Sequence, residues 1–156
     1  MREALAWIFL VIHGVAFLGA AAEDRKWKQV HRFFWWIALG AGLAALCLRQ
    51  DRPWEYLGEL FSFGLLQYGL FSKAYGLADC HAFFCAVVAL AAFGGRMEEY
   101  LMLALTAFGA LAAVQVIRRN VNERGNLREP VAFVPYVAFA YGIVIALLVF
   151  RECGIQ

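Results

Sequence analysis

The amino-acid sequence predicts an all-α, polytopic transmembrane helical bundle of about six helices, forming a single integral membrane domain over residues 1–156. Three observations lead there. Hydrophobic residues make up 63% of the chain and charged residues 17%, with a mean hydropathy of +0.65; soluble domains sit nearer half apolar and a quarter charged. The apolar residues gather in runs approaching the roughly 20 residues that a spanning helix needs. Trp7, Trp27, Trp35, Trp36 and Trp54 fall mostly near the ends of those runs, as an interfacial aromatic belt requires.

The runs cover about 3–22, 33–48, 55–73, 79–95, 97–117 and 131–150. The first begins after Arg2 and reaches Gly19-Ala20-Ala21-Ala22, a pattern that also suits a signal-peptidase site. Charge decides between the readings. One basic residue precedes the run while Arg25, Lys26, Lys28 and Arg32 follow it, so it is expected to stay as a helix with its N-terminus outside. RQDRP closes the second run, and the third carries Glu59 and Gln67. A short turn over 74–78 leads into the fourth, GGRMEE separates it from the fifth, and RRNVNERGNLREP separates the fifth from the sixth. Pro130 and Pro135 are placed to start and bend that last helix. Gly40, Gly42, Gly64 and Gly69 read as helix-packing contacts. Counting around six spans, loops 1, 3 and 5 hold nine basic residues and the opposite side five, which sets those three loops inside.

The formal charge is +2 and the basic residues lie in two loops rather than along one helix face, so nucleic-acid binding is not implied. Cys47, Cys80, Cys85 and Cys153 form no CxxC pair and no metal-ligand spacing; they read as small buried apolar residues.

Two carboxylates stand out. Asp24 closes the first run and Asp79 opens the fourth, so under this topology both lie at the cytoplasmic end. Asp51, Glu55, Glu98, Glu99 and Glu152 fall on the other side. If two such acids approach, they titrate as a unit: one takes a proton from water while the other gives one to a peptide carbonyl, which is general acid–base hydrolysis. Gly76 and Ala78 allow close backbone approach beside Asp79. Taken singly, each aspartate also fits a helix cap or a topology marker.

The segment GLAD at 76–79 resembles the GxGD motif of the type IV prepilin peptidases, membrane aspartyl proteases that trim pilin and archaellin precursors. Asp24, after the first helix and before the basic stretch RKWKQVHR, is similar in position to that family's first catalytic aspartate. PVAFVPYVAFAYG at 130–142 is similar to the opening of its last helix. The resemblance implies an aspartic-type endopeptidase with Asp24 and Asp79 as the catalytic pair, Gly76 and Ala78 beside it and His81 lining the site. It implies a single-span, prepilin-like precursor with a basic leader as substrate, cleavage at the cytoplasmic face of the cell membrane, and no metal or organic cofactor. Ala78 replaces the second glycine of the motif, His81 stands where lysine is frequent, and Val30-His31-Arg32 replaces a hydrophobic–Pro–Asn turn. The cysteine-rich insert of the bifunctional members is missing, so proteolysis without methyl transfer is expected.

Other chemistry is weaker. Cys80 and His81 are sequence neighbours and point about 100° apart on a helix, so they form no thiol dyad. His13 lies inside the first run, where a hydrogen-bonded core role competes with function. The 118–130 loop suits an inside-positive anchor, or a clamp on a precursor leader through Glu123 and Glu129. Two alternatives to the peptidase stay open: a catalytically inactive relative that serves as an assembly partner, and a small helical transporter with ionisable residues along a mid-membrane path.

Overall fold

The computed structural model describes residues 1–121, 131–152 and 154, which are helical apart from short turns. Six helical stretches follow one another: α1 (Arg2–Trp27), α2 (Arg32–Arg49), α3, α4 (Leu77–Ala92), α5 (Met97–Val121) and α6 (Val134–Glu152). α3 is a composite. It starts as a 3₁₀ turn (Pro53–Tyr56), runs as α-helix (Leu57–Leu65), widens into a π-helical turn (Leu66–Phe71) and closes with Ser72–Tyr75. An all-α bundle is what the sequence predicts, and here it is.

Among the described residues four helices, α1, α2, α5 and α6, are long and apolar enough to cross a membrane. This is a membrane protein by that measure. The fourth expected span is shorter than its apolar run, because Gly94 and Gly95 end it: the Gly95 N–H returns to the Leu90 carbonyl at 3.0 Å, a glycine-terminated C-cap. At 16 residues, α4 is about 24 Å long, less than the ~30 Å hydrocarbon core. α1 is longer than its run. Its 26 residues extend about 39 Å, with Arg25 and Lys26 in the last turn, where cations suit the helix dipole.

Apolar on every side, α4 occupies the centre: from Cys80 to Phe93, all residues except His81 and Phe84 are buried. α1, α2, α3, α5 and α6 all pack around it. α1 turns small residues and His13 inward (Ala6, Ala16, Ala20) and leaves Ile8, Val11, Val15 and Leu18 exposed. That order, large apolar residues outside, suits a helix whose outer face meets lipid. Gly42 and Gly64 are packing glycines as expected; an added Cβ would lie 3.2 Å from Val88 and 3.2 Å from Phe84 respectively. Gly40 and Gly69 instead face open space. Trp35 also departs from the aromatic belt: it is buried, edge-on to Phe17. Pro135 is the second residue of α6, where its missing N–H costs no helical bond; it begins that helix rather than bending it. Pro130 lies outside the described residues.

Helix ends are closed by side chains from elsewhere in the chain. Glu23 accepts the His31 N–H at 2.9 Å before α2. The Gln50 side chain donates to the Ala91 and Ala92 carbonyls at 3.3 and 3.1 Å at the end of α4. Glu59 accepts the Met97 N–H at 2.8 Å at the start of α5. Asp24 accepts the Val134 N–H at 3.0 Å at the start of α6. Orphan N–H and C=O groups at helix ends need such partners where water is scarce.

Candidate functional site

Asp24 sits in the last turn of α1, one turn before Lys28, whose left-handed φ of 56° ends the helix. It does not stand in the loop after the helix, because the helix outlasts the apolar run. Its side chain is buried at 7% exposure, and Oδ2 faces the first N–H of α6. The helix dipole adds to this contact, since the N-terminus of α6 carries partial positive charge.

Asp79 sits in the first turn of α4, three residues after Gly76. Gly76 has φ 101° and ψ 161°, a region that essentially glycine alone occupies. This residue separates α3 from α4, and its carbonyl accepts the Cys80 N–H at 3.3 Å. The glycine is therefore needed for its backbone angles. Close approach of another helix is not the reason: a Cβ there would meet only Asp79 Oδ2, at an ordinary 3.8 Å. Ala78, half-buried, follows in the same turn.

The fold brings the two aspartates to one end of the bundle, from α1 and α4; burial pushes the Asp79 carboxyl pKa up to about 7, and the Asp24 charge adds to that. Their situations differ. Asp24 is committed to Val134, whereas among the described residues Asp79 makes no side-chain hydrogen bond or ion pair. Asp79 is half-buried, so its carboxyl group is kept from bulk water and still open to a ligand.

His81 is placed apart from them. Two positions along a helix are about 200° around it. Its Nδ1 meets the Leu77 carbonyl of its own helix, and its ring lies between Trp35, at 6.2 Å, and Tyr68, at 5.5 Å. Cys80 is buried and donates its Sγ–H to the Gln67 carbonyl at 3.2 Å, inside the π-helical turn. That contact ties α3 to the start of α4, and π-turns recur at functional sites. Cys85 is buried like Cys80, while Cys47 is exposed.

The opposite end carries a different set of charges. Arg96 reaches Glu59 at 3.3 Å and Glu55 at 3.8 Å; Arg2 reaches Asp51 at 3.2 Å, and Arg151 reaches Glu99 at 3.5 Å. Glu59 thus belongs to a surface network and a helix cap rather than to a mid-membrane path. His13 is fully buried, its Nδ1 2.8 Å from the Ala38 carbonyl and its Nε2 without a partner among the described residues. Of the proposed loop clamp, Glu123 and Glu129 lie outside the described residues.

Sequence reasoning missed the partner of Asp24. Pro135 marks a helix start nearby, yet a backbone N–H leaves no trace in residue type, and the two groups are 110 positions apart. Among the described residues there is no cluster of three or more His, Cys, Asp or Glu side chains able to hold a metal ion. No family model matches the chain, and no curated protein or solved structure matches it.

Proposed function

We propose that the protein is a membrane aspartyl endopeptidase of the prepilin-peptidase type, with Asp24 and Asp79 as its catalytic pair. The observation that carries this reading is Asp79 itself: a half-buried carboxyl group with no described partner, subject to the charge of Asp24. Its structural contribution is that of an acid in the first turn of α4, whereas Asp24, Glu23 and Glu59 are each tied to a backbone N–H elsewhere in the chain.

The roles follow from the contacts. An N–H can be met only by a lone pair, so Val134 fixes Asp24 Oδ2 as an acceptor. Asp24 is then the base that draws a proton from the attacking water through its other oxygen. Asp79 carries the proton given to the scissile carbonyl. As the tetrahedral intermediate collapses, the proton taken by Asp24 passes to the leaving amine, and Asp79 recovers its own. The substrate is a single-span precursor with a basic leader, cut at the cytoplasmic side of the cell membrane, with the N-terminus of the enzyme outside. Where the resembled family carries a Pro–Asn turn, His31 is held by Glu23 through both its N–H and its ring Nδ1, at 2.9 and 3.0 Å, which keeps that turn in place without proline.

Co-expression with a single-span precursor carrying a basic leader tests the proposal, with leader removal followed by mass. Wild type and Cys80→Ser cut; Asp24→Asn and Asp79→Asn do not. Cleavage by both Asn variants overturns the pair. A second reading has its own observation: the Asp24–Val134 bond explains the burial of Asp24 without catalysis. Under it the chain is an inactive relative acting in assembly, and wild type cuts no such precursor.

A further inference from the structure

An open groove of about 500 Å³ runs along the seam between α1 and α6, lined by Ala21, Ala22, Arg25, Lys26 and Pro135. Its position in the bundle is set by helix length. α1 exceeds the hydrocarbon thickness by more than a turn, so a groove at its last turns lies at headgroup depth. The floor is small and apolar: Ala21, Ala22 and a proline that presents no N–H. The rim is cationic. Arg25 and Lys26 are exposed, and among the described residues neither pairs with a carboxylate. Of the nearby acids, Glu23 is bonded to His31 and Asp24 to Val134, and Asp79, at the same end of the bundle, is not part of the groove's lining. Lys26 Nζ lies 4.6 Å from the ring of Trp27, an exposed indole of the kind that sits among headgroups.

We propose that this groove is a binding site for the headgroup of an anionic phospholipid, the phosphate lying between Arg25 and Lys26 and the first acyl carbons over Ala21 and Ala22. Charge chooses the occupant. A basic leader peptide would be repelled by the same two cations, whereas an anionic lipid meets cations at the rim and apolar surface at the floor. The site does not rest on the peptidase reading.

The test uses the full chain reconstituted in mixed phosphatidylcholine–phosphatidylglycerol vesicles, then extracted for native mass spectrometry of retained lipid. Phosphatidylglycerol is retained in preference to phosphatidylcholine. Arg25→Gln and Lys26→Gln each lower that retention about fivefold, the scale of one basic residue at an anionic bilayer surface. Ala22→Leu fills the groove while leaving every charge in place, and it gives a comparable loss. Arg118→Gln removes an exposed charge of α5 outside the groove and changes nothing. Equal retention of the two lipids overturns the site, as does an Arg118→Gln loss matching that of Arg25→Gln. Water-soluble glycerol phosphate that displaces phosphatidylglycerol at equal concentration would assign the groove to a free phosphate ester and overturn the lipid.

Discussion

Asp24 caps α6 in this structure and is the general base of the proposed peptidase; two substitutions separate the cap from the proposed chemistry. Its Oδ2 accepts the Val134 N–H at 3.0 Å, and Val134 is fully buried. Asp24→Ala removes that acceptor and leaves a buried donor unmet, which costs about 1–3 kcal/mol. Asp24→Asn keeps an amide oxygen in the same place. It loses only the charge facing the α6 N-terminus, about 0.3–1 kcal/mol. Reversible unfolding in mixed micelles, followed by tryptophan fluorescence, should therefore rank wild type, Asn and Ala in descending order, with Ala clearly below Asn. Leader cleavage should rank differently. If the proposed peptidase chemistry holds, both variants lose its general base and fall by about 10²–10⁴-fold, Asn as completely as Ala. Equal stability of Ala and wild type would refute the capping argument. An Asn variant that cuts at the wild-type rate would refute the chemical role of Asp24 while leaving the cap intact.

Gly76→Ala should cost about 1–3 kcal/mol in the same titration, because its φ of 101° excludes a side chain although the space around it does not; an unchanged midpoint would show that the backbone relaxes freely there. Glu59→Gln keeps the acceptor for Met97 N–H and loses only a partly exposed pairing with Arg96, so it should cost at most about 1 kcal/mol, and Glu59→Ala more. Gln50→Leu removes the side-chain donor to the Ala92 carbonyl, while the Ala91 carbonyl keeps the Gly94 N–H, and should destabilise by about 1–3 kcal/mol, read by the same fluorescence titration. In the folded protein a membrane-permeant maleimide should modify Cys47 and spare Cys80 and Cys85, as peptide mapping would report; rapid labelling of Cys80 would contradict its burial against Gln67.

Most of the fold was legible because its determinants are local or compositional. Runs of apolar residues long enough to cross a bilayer leave a helix as the only way to satisfy their backbone, and α1, α2, α5 and α6 lie where those runs lie. Element ends were less legible. α1 passes through Glu23, Asp24, Arg25 and Lys26 because a helix may leave the hydrocarbon with its hydrogen bonds intact, and hydropathy alone stops at the boundary. The π-turn of α3 was hidden for another reason: its Gln67 carbonyl meets Cys80 of the next helix, a contact that neither segment announces.

By itself the sequence determined that this chain is an all-α membrane bundle, and that Asp79 follows a small-residue turn at a helix start. Tertiary structure decided the rest of the site. It set Asp24 beside the first N–H of α6, left Asp79 without a described hydrogen bond or ion pair, and turned the ring of His81 against Trp35 and Tyr68. The reason is physical: a carboxylate's surroundings depend on which helix ends converge, and that convergence is fixed by packing around α4 rather than by the residues on either side of each aspartate.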